Sequence, residues 1–77
     1  MQIKILGAGC PKCKALEKAT RDVVTKLGLE AEIIKVTDMM DIMNYGVAQT
    51  PALVIDEKVV VKGRVPSETE IEKLIRN

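Results

Sequence analysis

Apolar and polar positions along this chain change their spacing several times, and each change marks an element. Gln2 to Leu6, QIKIL, is mostly apolar with only partial alternation and reads as a buried strand. Gly7 and Gly9 break it. From Cys10 to about Leu27 the spacing becomes helical. Cys13, Leu16, Val23, Val24 and Leu27 share one face, while Lys14, Glu17, Lys18, Arg21 and Asp22 cover the other. Gly28 follows as a helix stop, and Ala31 to Val36, AEIIKV, reads as a second strand. Thr37 and Asp38 are residue types that cap helices, so DMMDIMNYGVAQ predicts a short helix ending near Gly46. Met39, Met40 and Met43 lie in it, and they are expected to fill core space rather than to form a soft-metal surface.

Pro51 stands at the start of the next apolar run, TPALVID, where a proline does not interrupt a ladder. Asp56 to Lys58 forms a turn, and Val59 to Lys62 returns antiparallel to the preceding strand. Gly63 ends that strand. After Pro66, the run Ser67-Glu68-Thr69-Glu70 has the pattern of a capping box, and Ile71, Leu74 and Ile75 form the apolar stripe of a last helix. The order is β-α-β-α-β-β-α over residues 1–77, one domain of the α/β class. The first strand–helix–strand unit predicts a parallel crossover and the last two strands a hairpin. Together they give a four-stranded mixed sheet with helices on both faces.

Composition narrows the function. The chain has no Phe or Trp and one Tyr, so its core is aliphatic and single-stranded nucleic acid finds no stacking platform. The net charge of +1 calls for no nucleic-acid partner. There is no histidine, which removes the commonest metal ligand and the usual general base. No apolar run approaches the ~18 residues that a bilayer span needs. MQIKILGAG also lacks signal-peptide architecture, so a cytoplasmic protein with no membrane partner is expected. In that compartment two cysteines spaced C-x-x-C read as catalytic or metal-binding rather than as a structural staple.

Cys10 and Cys13 are that pair. Pro11 suits the first helical position, because its missing N–H would have no partner there. Cys10 is then the N-cap and Cys13 lies one turn in, beside Leu16. Their Cα atoms are expected within the ~4.4–6.8 Å that a disulfide accepts. The helix N-terminus favours an anion, and such sites lower a thiol from ~8.5 toward ~3.5–7.5. Lys12 adds positive charge nearby. Cys10 is therefore the expected nucleophile and Cys13 the resolving thiol, with Pro11 and Lys12 tuning the first.

With these residues in place the chain resembles the thioredoxin-like superfamily, and within it the small thioredoxin/glutaredoxin-like proteins known as redox-active disulfide proteins. GAGCPKC after the first strand carries the likeness, with YGVAQTPALVID and VKGRVPSETEI. It covers essentially the whole chain. The resemblance implies a thioredoxin-like fold and a protein-disulfide reductase that needs no cofactor. It also implies a cis proline at Thr50-Pro51 beside the disulfide, where Thr50 and Pro51 position substrate. Disulfide-containing proteins are the implied substrates, a thioredoxin-reductase-like protein the implied electron donor, and a monomer the implied state.

Three departures stand out. Gly9, not Trp, precedes Cys10, and the dipeptide between the cysteines is Pro11-Lys12. The first strand carries no acid. Glu17, one turn after Cys13, is within reach of it, although the pattern favours a solvated glutamate. A Gly-Gly-x-Asp glutathione pocket is not evident, since VKGRVPS offers only Gly63. The rival reading uses the same thiolates to hold Cu(I) or Zn in a metal chaperone. Domains of that kind run β-α-β-β-α-β, whereas here a helical segment separates the second strand from the proline-marked third.

Overall fold

The computed structural model describes residues 1–76. Its elements follow the expected order: β1 (Gln2–Leu6), α1 (Pro11–Leu27), β2 (Glu32–Val36), α2 (Met39–Asn44), β3 (Ala52–Ile55), β4 (Lys58–Lys62) and α3 (Glu68–Arg76). The strands form one sheet in the order β2-β1-β3-β4. β1 runs parallel to β2, with Ile5 opposite Lys35, and antiparallel to β3, with Ile5 opposite Leu53. β3 and β4 form the expected hairpin. A hydrogen bond from Gly7 N to Val36 O (2.9 Å) continues the β1–β2 pairing beyond the strand. The loop after β1 therefore emerges beside the end of β2.

Side-chain alternation on β1 divides the core. Ile3 and Ile5 face α1 and α3, where they pack with Leu16, Val23, Leu53 and Ile71. Leu6 faces the other way and packs with Ile42 of α2, Val47, Ala52 and Val54. Helices thus cover both faces, as the sequence predicts. α1 is also ended as predicted, by Gly28 in the left-handed conformation (φ 65°) that lets its N–H reach back to Thr25 O. Ser67 Oγ accepts from Glu70 N (3.1 Å) and so starts α3.

The methionines of α2 correct the sequence reading. Met39, Met40 and Met43 are 65%, 68% and 60% exposed and fill no core. α2 has only six residues and buries one of them, Ile42. The small sheet face beneath it is already occupied by Leu6, Ala52 and Val54. Its start is set by Asp38, whose carboxylate accepts from Met40 N (2.8 Å) and Asp41 N (3.2 Å).

Two further features carry no signal in the local pattern. The β3–β4 register shifts between Leu53 and Val54, which pair with Val61 and Val59 and leave Val60 without a partner. At the hairpin, Asp56 and Glu57 both adopt positive φ (47° and 70°). Their side chains have work elsewhere: Asp56 Oδ1 accepts from Gln2 N (2.8 Å), and Glu57 accepts from Lys4 Nζ (2.7 Å). Lys4 also donates to Tyr45 Oη (2.6 Å), which ties β1, the hairpin turn and the end of α2 together.

Those ion pairs set an acid limit on stability. The hydrogen bond from Lys4 holds the Glu57 carboxyl below its ordinary value, with Tyr45 second. Arg21 does the same for Glu17, and Arg64 for Glu70. A carboxyl whose folded value is depressed stabilises the fold above its unfolded value and ceases to do so as pH falls through the folded one. The melting temperature is therefore expected to hold between about pH 5 and 7 and to drop below about pH 4, the range of free carboxyls. The drop should be shallower in Glu57→Gln, as followed by circular dichroism. Because these groups are exposed, the effect is modest and weakens further with salt.

Candidate active site: the Cys10–Cys13 centre

The site is assembled where β1 ends and α1 begins. Gly7, Ala8 and Gly9 carry the chain off the sheet, and Cys10 caps the helix in an extended conformation (φ −69°, ψ 163°). Pro11 takes the first helical position, as the sequence predicts. Cys10 and Cys13 are paired as a disulfide with their Cα atoms 5.1 Å apart. Cys10 Sγ accepts a hydrogen bond from Cys13 N (3.2 Å), and Lys14 N donates to Cys10 O (3.0 Å). A sulfur thus stands where the helix presents unpaired N–H groups.

The two cysteines differ in access. Cys13 is 5% exposed and buried, while Cys10 is only partly buried. Pro11 and Lys12, between them, face solvent. Gly7 explains how Cys13 fits under the loop. A Cβ added at Gly7 would come within 3.2 Å of Cys13 Cβ and would overlap Cys13 Sγ. The same added Cβ would lie 3.7 Å from Thr50 Cβ. Thr50 therefore stands against the same glycine as the buried sulfur, and the Thr50–Pro51 peptide is cis. Thr50 is exposed and Pro51 is fully buried, with Pro51 O accepting from Gly63 N (2.9 Å).

One group near the cysteines was not placed there by sequence reasoning. Lys35 on β2 reaches Glu17 across the start of α1 (3.4 Å), and the pair lines a small cavity of about 40 Å³ together with Cys13, Lys14, Ile5 and Gly7. The only signals were the single turn between Cys13 and Glu17 and the parallel register that sets Lys35 opposite Ile5. A wider, open cavity of about 390 Å³, lined by Lys4, Tyr45, Asp41 and Glu57 among others, shares no residue with this site.

A cysteine pair poised on a helix N-terminus, one sulfur accessible and the other buried, can pass two electrons to a disulfide when it is the dithiol and take two from a dithiol when it is the disulfide. Fold and site define a thiol–disulfide oxidoreductase. Comparison with known proteins agrees. The Thioredoxin domain model of protein families matches residues 1–76, and the chain belongs to the thioredoxin family. It is 40% identical over 75 residues to a thioredoxin of Methanothermobacter thermautotrophicus, covering 97% of each chain. It is 39% identical to a thioredoxin of Methanocaldococcus jannaschii, covering 97% of this chain and 86% of that one. A solved structure of thioredoxin-2, a component of the malaria parasite's protein secretion machinery, superposes with a TM-score of 0.75 over 97% of this chain and 80% of the other. At 15% identity that likeness concerns the fold alone.

The chain is thus a protein-disulfide oxidoreductase working through a C-x-x-C pair, and the metal-chaperone reading is not favoured. Membership of the family implies disulfide-bonded proteins as substrates and a reductase as donor in general terms. Among the described residues, no helix is long and apolar enough to cross a membrane.

Proposed function

We propose that Cys10 attacks and Cys13 resolves. The Cys10 thiolate attacks one sulfur of a substrate disulfide, forms a mixed disulfide and releases the other substrate sulfur as a thiolate. Cys13, as thiolate, then attacks Cys10 Sγ. The Cys10–Cys13 bond re-forms and the second substrate sulfur departs. Two electrons have passed from protein to substrate, and a thioredoxin-reductase-like donor restores the dithiol. The carrying observation is the contrast between a part-exposed Cys10 that accepts Cys13 N (3.2 Å) and a Cys13 that is 5% exposed.

The same amide supports a stabilised Cys10 thiolate, because it already points at the sulfur and belongs to the first turn of α1. Pro11 fixes that turn, and Lys12 adds a positive charge, screened by its exposure. Thr50 and Pro51 position substrate: Thr50 adjoins Gly7, against which the buried sulfur also packs, and its exposed position suits pairing with an extended segment. The enzyme acts as a monomer in the cytoplasm, with no nucleic acid, metal or cofactor in the cycle.

Iodoacetamide labelling of the reduced protein, followed by peptide mass, tests the assignment. Cys10 is expected to label faster than Cys13 near neutral pH. Its rate should follow an ionisation below the ~8.5 of a free thiol. Faster labelling of Cys13 would reverse the roles.

A further inference from the structure

Gln49, Thr50 and Pro51 run between two loops. Thr50 stands on the cysteine side, where a Cβ added at Gly7 would lie 3.7 Å from Thr50 Cβ. Pro51 is tied to the other side, since its carbonyl accepts from Gly63 N (2.9 Å). Gln49 is exposed, and its side chain lies across Gly63. A Cβ added at Gly63 would come 2.6 Å from Gln49 Oε1 and 3.4 Å from Gln49 Cβ. A glycine at this position, with φ 76°, leaves room for the amide where it stands. No side-chain hydrogen bond among the described residues uses that amide.

We propose that Gln49 is a positioning residue for protein substrates, and that its side-chain amide holds the main chain of the segment laid along Thr50. A primary amide carries one acceptor oxygen and two N–H donors, the complement of a peptide N–H and C=O. In this arrangement the substrate cysteine meets Cys10, and the residues on one side of it pass the Gln49 amide. Contact with Gly63 restricts the Gln49 side chain before substrate arrives, so less freedom is lost on binding. The interaction is uncharged and reads main chain rather than side chains. It therefore favours extended, disulfide-bearing polypeptide of varied sequence over small disulfides that carry no peptide. Gln49 touches no reacting atom, so its effect falls on affinity and not on the exchange step.

This inference rests on the reading that Thr50 and Pro51 position substrate, and the experiment separates the two. Reduced protein is mixed with a short peptide whose internal disulfide holds a fluorophore beside a quencher. Single-turnover reduction is followed against peptide concentration for wild type and Gln49→Met, which keeps the side-chain length and loses the amide. The half-saturating concentration is expected to rise about three- to tenfold in Gln49→Met, the usual yield of a neutral hydrogen bond. The limiting rate, the melting temperature and the rate with 5,5′-dithiobis(2-nitrobenzoate), which has no peptide chain, should stay the same. Unchanged half-saturation would overturn the proposal. So would equal slowing with both disulfides, which would mark a general loss of structure.

A series of peptides N-methylated at one backbone position at a time completes the test. A position that weakens binding equally in both proteins marks the pairing with Thr50. A second position that weakens binding in wild type but not in Gln49→Met marks the contact with Gln49. If every sensitive position is equally sensitive in both proteins, the role of Gln49 fails and that of Thr50 stands. If no position matters in either protein, both fail.

Discussion

Cys13→Ser is expected to stop turnover and to accumulate a covalent adduct between Cys10 and substrate. Non-reducing electrophoresis after incubation with a disulfide-bonded protein should show a band at the summed mass that disappears with dithiothreitol. The reason lies in the order of the two attacks. Cys10 forms the mixed disulfide without help from Cys13, but only a second thiol within disulfide reach, here 5.1 Å between Cα atoms, can displace the product quickly. Cys10→Ser should instead give neither turnover nor adduct, since the remaining thiol is 5% exposed and faces the underside of the loop at Gly7. An adduct in Cys10→Ser as abundant as in Cys13→Ser would mean that access does not distinguish the two sulfurs.

The second large effect is on stability. Leu16→Ala is expected to cost about 2–5 kcal/mol, the usual range for removing a fully buried leucine. Leu16 is 0% exposed and packs with Ile3, Ile5 and Leu53 of the sheet. Small proteins hold only about 5–15 kcal/mol in total, so the loss is a large share. The urea midpoint should fall while the slope stays the same, because the surface exposed on unfolding barely changes. An unchanged midpoint would mean that α1 does not seat this face on the sheet. The same variant bears on function, since Leu16 lies one turn beyond Cys13 on the face that fixes the helix over β1.

Much of this was legible in the sequence because its causes are local. A proline that fits only the first helical turn placed Cys10 as the cap, and Gly28 ended the helix where a left-handed residue is needed. Helical spacing found Leu16, Val23 and Val24, and the apolar run QIKIL found β1 as a buried strand, whereas its division into Ile3 and Ile5 on one face and Leu6 on the other came from the structure. Periodicity could not find Thr20, a polar residue that is fully buried because its hydroxyl donates to Leu16 O (2.8 Å) within the helix. Nor could it show that Lys4 reaches Glu57, 53 residues away, or that Lys35 meets Glu17, since both pairs depend on which strands lie side by side. The methionines misled for a related reason. An apolar residue reads as core until the area beneath its helix is known, and α2 covers too little sheet to bury more than Ile42.

The central claim is that Cys10 and Cys13 cycle as one two-electron couple. Equilibrating the protein in buffers of graded dithiothreitol ratio, quenching with a mass-shifting alkylator and weighing the intact chain tests it most directly. The account predicts that the two thiols appear together and reversibly, with unlabelled and doubly labelled chains exchanging over a tenfold change per ~30 mV and almost no singly labelled form. A population dominated by singly labelled chains, or two thiols that stay free under oxidising conditions, would contradict it.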